Sequence, residues 1–391
     1  MTKLSNYMTA AAALPSDGLL VGRVWNPSVD GPSIVRRDGG SLIDITAAFP
    51  TMRDLCEADD PAQAARAVTG PSLGSIDAIM ANTPPETRDA SQPWLLAPVD
   101  LQALKACGVT FATSMLERVI EERARGNPAA AAEIRTTIGS LIGSDLSKLR
   151  AGSAEAMELK KVLMEKGAWS QYLEVGIGPD AEIFTKSQVM SAVGHGMEAG
   201  LNPVSTWNNP EPEVVVVVAS TGKIAGAMLG NDVNLRDVEG RSALLLGKAK
   251  DNNASCAVGP MIRLFDLSFS LDHVRTMQLA LRVEGHDGYV LNGASNMSKI
   301  SRDPADLTGQ MLNQHHQYPD GAILFLGTLF APIEDRDAPG KGFTHKMGDI
   351  VTVSSPELGA LTNRMTSTDK AAPWTWGTSH LMRNLAKRGL L

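Results

Sequence analysis

The sequence predicts a strand-rich α+β protein, and three observations carry that prediction. Short apolar runs such as Leu19-Leu20-Val21 and Ser33-Ile34-Val35 alternate with Gly, Pro and Asp turns near the start of the chain, a pattern typical of short strands. The run from Val214 to Val218 is β-branched throughout, which favours a buried strand. Residues 114–166, by contrast, are rich in Ala, Glu, Lys, Leu and Arg and predict helices.

The chain of 391 residues is long enough for two domains. Residues 19–47 predict strands, residues 52–82 are rich in helix formers, and Thr83 to Pro93 has the composition of a linker. We therefore predict a small N-terminal α+β domain at residues 1–93 and a catalytic domain at residues 94–391. Within the second domain, residues 114–168 are expected to form a helical insertion.

An acidic pair beside the valine run is the first candidate site. Glu211 and Glu213 are two residues apart, so a strand would place both carboxylates on one face. A hairpin turn at Ser220 to Lys223 then predicts a returning strand that brings Asp232 back towards the pair. An oxygen-only ligand set selects a hard cation such as Mg²⁺, Mn²⁺ or Ca²⁺. The alternative is that these acids are solvated side chains at a strand end.

Three ordered motifs resemble the signatures of the fumarylacetoacetate hydrolase superfamily. They are Glu211-Pro212-Glu213, the segment Gly230 to Asp237, and the segment Ala249 to Pro260. The resemblance implies that Glu211, Glu213 and Asp232 are metal ligands for Mg²⁺, with Mn²⁺ or Ca²⁺ as substitutes. It implies that Lys250, rather than Lys248, is the active-site lysine, because only Lys250 keeps the register to Gly259-Pro260.

Further segments extend the resemblance to roughly residues 95–365. These are Glu182 to Lys186, Leu281 to Gly285, Leu326-Gly327-Thr328 and Met347 to Val353. The resemblance implies a mixed β-roll with the site in its interior. It also implies that Thr328, Gly327, Arg236 and Asn231 contact the substrate, and that the protein assembles as a homodimer or homotetramer.

One position departs from the family pattern. Many members carry a His and a Glu that together activate water; aligned on Gly108 and Phe111, those positions hold Ser114 and Glu117. Histidine suits a base near neutral pH, whereas serine cannot fill that role unaided. Glu117 remains a candidate catalytic group or an ordinary helix acid. The helical insertion that contains both residues is either a lid over the site or a packing element.

Composition excludes several classes of protein. The formal charge of −7 argues against a nucleic-acid or anionic-membrane partner. Three cysteines without metal spacing suit a reducing compartment. The apolar stretch near the start is too short and Ala-rich for a signal peptide, and no run reaches the length of a membrane span. We expect a cytoplasmic protein. His195 is expected to be structural.

The resemblance implies enolate chemistry on a small 2-oxo acid. Loss of the water-activating His favours reactions that add no water. The primary hypothesis is therefore a Mg²⁺-dependent dehydratase that converts a 2-keto-3-deoxypentonate to 2,5-dioxopentanoate through a metal-stabilised enolate. Lys250 would be the base or stabilise the oxyanion, and Glu117 would be the partner base or the acid that assists the leaving group. Alternatives are a metal-dependent C–C hydrolase of 2,4-diketo acids or acylpyruvates and a catalytically silent binding protein.

Overall fold

The computed structural model describes residues 4–125, 127–131, 133–134, 149–165, 167, 169–330 and 332–391. Its strands are β1 Leu20–Asn26, β2 Gly31–Asp38, β3 Ser41–Asp44, β4 Ser72–Ser75, β5 Trp94–Leu95, β6 Ala103–Gly108, β7 Glu182–Ser187, β8 Glu198–Leu201, β9 Pro212–Val218, β10 Ile224–Asp232, β11 Cys256–Leu264, β12 Gln278–Glu284, β13 Val290–Asn296, β14 Ala322–Phe325, β15 Ile350–Ser355 and β16 Gly359–Ser367.

The described helices are mostly short. They are α1 Ala10–Ala13, α2 Met52–Cys56, α3 Pro61–Ala67, α4 Ile76–Ala81, α5 Ala112–Arg123, α6 Ala154–Glu165, α7 Gln171–Ile177, α8 Arg236–Glu239, α9 Leu246–Lys250, α10 Leu271–Thr276, α11 Pro304–Met311 and α12 Thr378–Lys387. Across these described ranges, no helix combines the length and the apolarity needed to cross a bilayer.

Two sheets organise the described residues, which confirms the predicted strand-rich α+β class. The larger sheet has eleven strands in the order β4-β3-β2-β1-β11-β10-β9-β14-β6-β7, with β5 beside β1. The smaller has five strands in the order β13-β12-β15-β16-β8. All pairs are antiparallel except β14 with β6 and β16 with β8. The sheets therefore combine hairpins with two crossover connections.

Strand β9 lies at the centre of the larger sheet and is buried on both faces. Its side chains alternate: Val214, Val216 and Val218 pack into one hydrophobic cluster, whereas Val215 and Val217 pack into another. Successive side chains of a strand point to opposite faces, so a continuous valine run fits a strand covered on both sides. Because this strand is enclosed, the acidic residues at its beginning are held in the protein interior.

The N-terminal strands extend the sheet that carries the site. Strand β1 pairs with β11 through Leu20 opposite Arg263 and Val21 opposite Ile262. Val21 and Ile34 also belong to the same hydrophobic cluster as Val215 and Val217. Residues before Pro93 thus share a sheet and a core with later ones. The domain division at residue 93 stays a prediction.

Helices lie in the predicted insertion and near the end of the described chain. In the helical insertion predicted at 114–168, the described part contains most of α5 and all of α6; residues 126, 132, 135–148, 166 and 168 lie outside the described residues. At the other end of the chain, α12 covers the first strands. The Asn384 side chain donates hydrogen bonds of 2.9 Å to the carbonyl oxygens of Val29 and Asp30.

Candidate metal and active site

The predicted hairpin brings the three acidic residues together. Strands β9 and β10 pair with Glu213 opposite Gly230, and the Asp232 backbone N–H donates to the Glu211 carbonyl at 3.0 Å. Each of Glu211, Glu213 and Asp232 offers a carboxylate oxygen within 4.8 Å of the others, and all three are buried. The predicted convergence is confirmed. Pro212 lacks an N–H, which suits its position at the beginning of the strand.

Two lysines neutralise part of this negative charge. Lys250 Nζ lies 2.6 Å from Glu211 Oε2 and 3.0 Å from Asp232 Oδ2. Lys186 Nζ lies 2.9 Å from Asp232 Oδ1 and donates 2.7 Å to the Lys250 carbonyl oxygen. Lys248, the other lysine of that loop, is exposed. The structure therefore places Lys250, and not Lys248, at the carboxylates.

Helix α5 covers the site and supplies a further cation. The Arg118 guanidinium donates to Glu211 Oε1, lies 2.7 Å from Glu121 Oε2 and lies 3.1 Å from Glu239 Oε2. Glu239 comes from α8, which follows the acidic hairpin. Arg118 therefore connects α5 to a predicted metal ligand and to the segment after it.

Arg236 makes a second connection to the same helix. Its Nε and Nη2 lie 2.7 and 2.6 Å from Glu121 Oε1, and its Nη2 lies 3.7 Å from Glu117 Oε2. The guanidinium also stacks on the Trp207 ring, 4.3 Å from the ring centroid. Buried Arg236 thus positions Glu117 and Glu121 relative to the acidic hairpin.

The charges of the cluster fit a divalent cation. Its acidic members outnumber its basic members: Glu117, Glu121, Glu182, Glu211, Glu213, Asp232 and Glu239 face Arg118, Lys186, Arg236 and Lys250. Buried carboxylates this close repel one another strongly unless positive charge is present. The three converging residues offer oxygen ligands alone, the donor type that Mg²⁺, Mn²⁺ and Ca²⁺ prefer. The residues present therefore fit such an ion.

Proton affinities differ sharply within the acidic trio. Burial raises the pKa of Glu213 well above its ordinary value, and the charges of Asp232 and Glu211 raise it further. Asp232 is shifted in the opposite direction: although burial opposes ionisation, Lys186 and Lys250 lower its pKa. In the metal-free protein Glu213 is accordingly the member of the trio that holds a proton most firmly.

Lys250 departs from one expectation. A lysine that acts as a base beside a cation should have a depressed pKa. In the metal-free site burial opposes the ammonium, but Asp232, Glu211 and Glu239 outweigh it and raise the pKa of Lys250. The reason is electrostatic: with carboxylates as its nearest neighbours, the charged form is favoured.

Glu182 lies beside the other acidic residues of the cluster. The sequence marks it only as part of the segment Glu182 to Lys186, which resembles the family. It stands at the beginning of β7 opposite Gly108. A Cβ on Gly108 would come within 2.0 Å of Glu182 Oε2, so the carboxylate occupies space that only glycine leaves open. Burial, followed by the charge of Glu239, raises the pKa of Glu182 to about 7. The side chain is therefore an acid that holds its proton up to neutral pH.

Replacing Glu182 with glutamine should remove a pH dependence of stability. The folded protein keeps the Glu182 proton up to about pH 7, whereas the unfolded chain releases it near pH 4.3. Stability therefore falls as pH rises through this window, by on the order of 3–4 kcal/mol. Denaturant unfolding of the metal-free Glu182→Gln variant should show a smaller decline between pH 5 and pH 8 than wild type. The exposed Glu158→Gln is the control, and an equal decline in wild type and Glu182→Gln would contradict the assignment.

The remaining predicted site residues divide into two groups. Thr328 and Arg236 line small cavities beside the trio. Gly327 and Asn231 instead hold metal-ligand residues: the Gly327 N–H donates 2.7 Å to Glu213 Oε2, and Asn231 Oδ1 accepts from the Glu211 N–H at 3.1 Å. Their predicted substrate contact stays a prediction; Asn231 Nδ2 is buried without a hydrogen-bond partner among the described residues. Ser114 lies in α5, and its side chain falls outside the described residues.

Two small cavities meet at the site. One, of about 20 Å³, is lined by Lys250, the acidic trio, Glu239 and Gly108 among others. The second, of about 10 Å³, lies against Glu117, Glu121, Arg236 and Phe330. Arg118, Glu211 and Thr328 line both. Each has room for a water molecule or an ion, and neither holds a five-carbon acid in this conformation.

Comparisons with known proteins agree with this fold. Residues 179–366 match the family model described as fumarylacetoacetate (FAA) hydrolase C-terminal. The chain is similar to a 2-dehydro-3-deoxy-D-arabinonate dehydratase of Saccharolobus solfataricus, with 33% identity over 180 residues, 46% of this chain and 57% of that protein. It is also similar to a probable 2-keto-3-deoxyxylonate dehydratase of Haloferax volcanii, with 26% identity over 196 residues, 50% of this chain and 64% of that protein. Both alignments thus span less than two thirds of these relatives.

Solved structures extend the likeness to most of the chain. The apo form of a 2-keto-3-deoxy-D-arabinonate dehydratase matches with a TM-score of 0.62 and 20% identity, covering 89% of this chain and 99% of that one. A structure of that enzyme complexed with magnesium and 2,5-dioxopentanoate matches over the same shares with a TM-score of 0.61 and 20% identity. At this identity the likeness shows the fold, which confirms the predicted β-roll.

Proposed function

We propose that this chain, whose residues 179–366 match the fumarylacetoacetate (FAA) hydrolase C-terminal family model, is a Mg²⁺-dependent dehydratase. Its substrate would be a 2-keto-3-deoxypentonate and its product 2,5-dioxopentanoate. The observation that carries the proposal is the position of Lys250 Nζ, 2.6 Å from Glu211 and 3.0 Å from Asp232. This places a potential base directly beside a cation site, which enolate chemistry requires.

The chemistry of the cavity walls favours dehydration over hydrolysis. Hydrolytic members of the superfamily use a histidine to activate water, and among the described residues that line the two cavities none is a histidine. His195 is buried elsewhere, where its Nδ1 accepts from the Thr362 N–H at 3.0 Å. Dehydration releases water rather than adding it, so it needs no such base. The names of the two curated relatives support the same reaction class.

The reaction needs one base and one acid on this chain. A bound divalent cation would polarise the 2-oxo group as a Lewis acid and, by offsetting the carboxylates, lower the pKa of Lys250 towards that of a base. Lys250 then takes a proton from C3. Glu182, whose carboxylate lies against Gly108 in the wall of the first cavity, is the proposed acid and would donate its proton to the C4 hydroxyl, which leaves as water. The resulting C3–C4 alkene then isomerises. A proton moves from C5 to the 2-oxo oxygen and gives a dienol, and protonation of C3 and C4 with loss of the two enol O–H protons yields 2,5-dioxopentanoate.

Glu117 has a different role in this proposal from the one first considered. Its carboxylate lies 3.7 Å from the Arg236 guanidinium, and both residues line the second cavity, which Lys250 does not line. We assign it to positioning Arg236 and the wall of the second cavity.

A proton NMR time course in D₂O tests the proposed function. Mg²⁺-loaded protein is incubated with 2-keto-3-deoxypentonate of either C4 configuration, and with a 2,4-diketo acid in parallel. We expect an aldehyde resonance to grow and deuterium to enter the product. Cleavage of the diketo acid without any semialdehyde from either epimer would replace the dehydratase with the C–C hydrolase, and binding of Mg²⁺ without turnover would indicate a silent binding protein.

A further inference from the structure

Arg118 occupies the place where a bound cation would need free ligand oxygens. In the metal-free site both carboxylate oxygens of Glu211 are engaged, Oε2 by Lys250 at 2.6 Å and Oε1 by Arg118. Two positively charged side chains thus contact one predicted metal ligand. A divalent cation binding there would be repelled by both, so at least one of these contacts must break.

Lys250 and Arg118 differ in the carboxylate partners that lie outside the trio. The Lys250 ammonium also contacts Asp232 at 3.0 Å, and its backbone carbonyl accepts from Lys186 Nζ and from Ser255 Oγ, both at 2.7 Å. Arg118 has partners to move towards, since Glu121 and Glu239 lie 2.7 and 3.1 Å from its Nη1. The guanidinium can therefore leave Glu211 and still remain paired.

The same side chain is part of the wall of both cavities. Arg118, Glu211 and Thr328 line both spaces, of about 20 and 10 Å³. One space contains Lys250, Glu213 and Asp232, and the other lies against Glu117 and Phe330. Moving the guanidinium off Glu211 would join them beside the proposed base, in the place where an acid substrate has to bind.

We propose that Arg118 is a metal-released latch. In the metal-free protein it closes the site by pairing with Glu211; in the metal-loaded protein it turns from Glu211 and pairs with the carboxylate of the incoming 2-oxo acid. The pairing with a substrate carboxylate rests on the proposed function, because it takes the substrate to be a 2-oxo acid. Arg118 is on this account a positioning residue in the first state and a substrate-binding residue in the second.

The Arg118→Gln variant should shift two affinities in opposite directions. Mn²⁺ binding, measured by the electron paramagnetic resonance signal of free Mn²⁺, should tighten by roughly tenfold because a competing charge is removed. Binding of oxalate, a dianion that mimics a 2-oxo acid, to the Mn²⁺-loaded protein should weaken by roughly tenfold or more because a charged partner is lost. Exposed Arg123→Gln on the same helix is the control and should change neither. Arg118→Lys should restore part of the oxalate affinity.

A purely structural Arg118 would give a different pattern. If Arg118→Gln weakened Mn²⁺ and oxalate binding together, or left Mn²⁺ binding unchanged, the latch would be overturned. Should that variant fail to fold, hydrogen exchange of the wild type decides: Mn²⁺ alone should speed amide exchange in residues 112–123, and oxalate should reverse it. Unchanged or slower exchange with Mn²⁺ bound overturns the latch. If the Mn²⁺ and oxalate affinities shift in opposite directions but no pentonate is dehydrated, the latch is retained and the proposed substrate is refuted.

Discussion

The Lys250→Met variant should lose roughly two to four decades of kcat on a 2-keto-3-deoxypentonate while still binding Mg²⁺. Lys250 is the described basic group that contacts two members of the acidic trio, at 2.6 and 3.0 Å, and it lies buried in the cavity wall. Methionine has a similar length but accepts no proton. The semialdehyde formed per unit time at saturating Mg²⁺ measures the effect.

Two comparisons make this result specific to proton transfer. Lys248→Met removes an exposed lysine of the same loop and should leave kcat unchanged. The deuterium that enters C3 of a 2-oxo acid with no leaving group should also disappear in Lys250→Met, because enolate formation needs the base. Retention of that exchange alongside slow dehydration would assign Lys250 to oxyanion stabilisation instead.

The second large effect concerns the unequal carboxylates of the trio. Glu213→Gln should leave the stability of the metal-free protein within about 0.5 kcal/mol of wild type. The raised pKa of Glu213 keeps this side chain protonated, and glutamine has nearly the same shape as the protonated acid. Its amide oxygen can still accept the Gly327 N–H. Mg²⁺, however, should no longer stabilise the variant. At a Mg²⁺ concentration of one hundred times the wild-type Kd, the variant should therefore lack about 2.7 kcal/mol of the free energy of unfolding that Mg²⁺ adds to wild type.

Asp232→Asn is the matched comparison. Asp232 is ionised between Lys186 and Lys250, so its loss leaves two buried cations with one anion fewer and should cost about 3–5 kcal/mol without metal. Urea unfolding with EDTA and with Mg²⁺ separates the two variants. Equal loss of metal-free stability in both would mean that Glu213 is ionised, contrary to its environment.

The acidic trio was predictable because its determinants are local. A two-residue spacing places Glu211 and Glu213 together on a strand, and a short turn fixes the return of Asp232. Lys250 was chosen over Lys248 from register with the family motif, and the burial of Lys250 agrees with that choice. Such short-range features depend little on the rest of the fold.

The counter-charges were not predictable in the same way. Arg118 and Glu239 come from helices α5 and α8, which meet only in the folded protein, and neither has a spacing that marks it as functional. Glu182 differs from an ordinary strand acid only in its surroundings, including the glycine opposite it. A weak signal existed in the sequence, since Arg118 follows Glu117 directly in the segment that departs from the family pattern.

The position of β1 in the sheet has a consequence for how the chain is made. Its partner β11 is about 240 residues later in the sequence, and a ribosome adding roughly 5–20 residues per second needs roughly 12–50 s to supply it. Until then the Leu20–Val21 part of that edge of β1 has no partner strand, and contacts of such long range form slowly. Synthesis of this protein therefore includes a period in which an apolar strand edge is open to association with other chains.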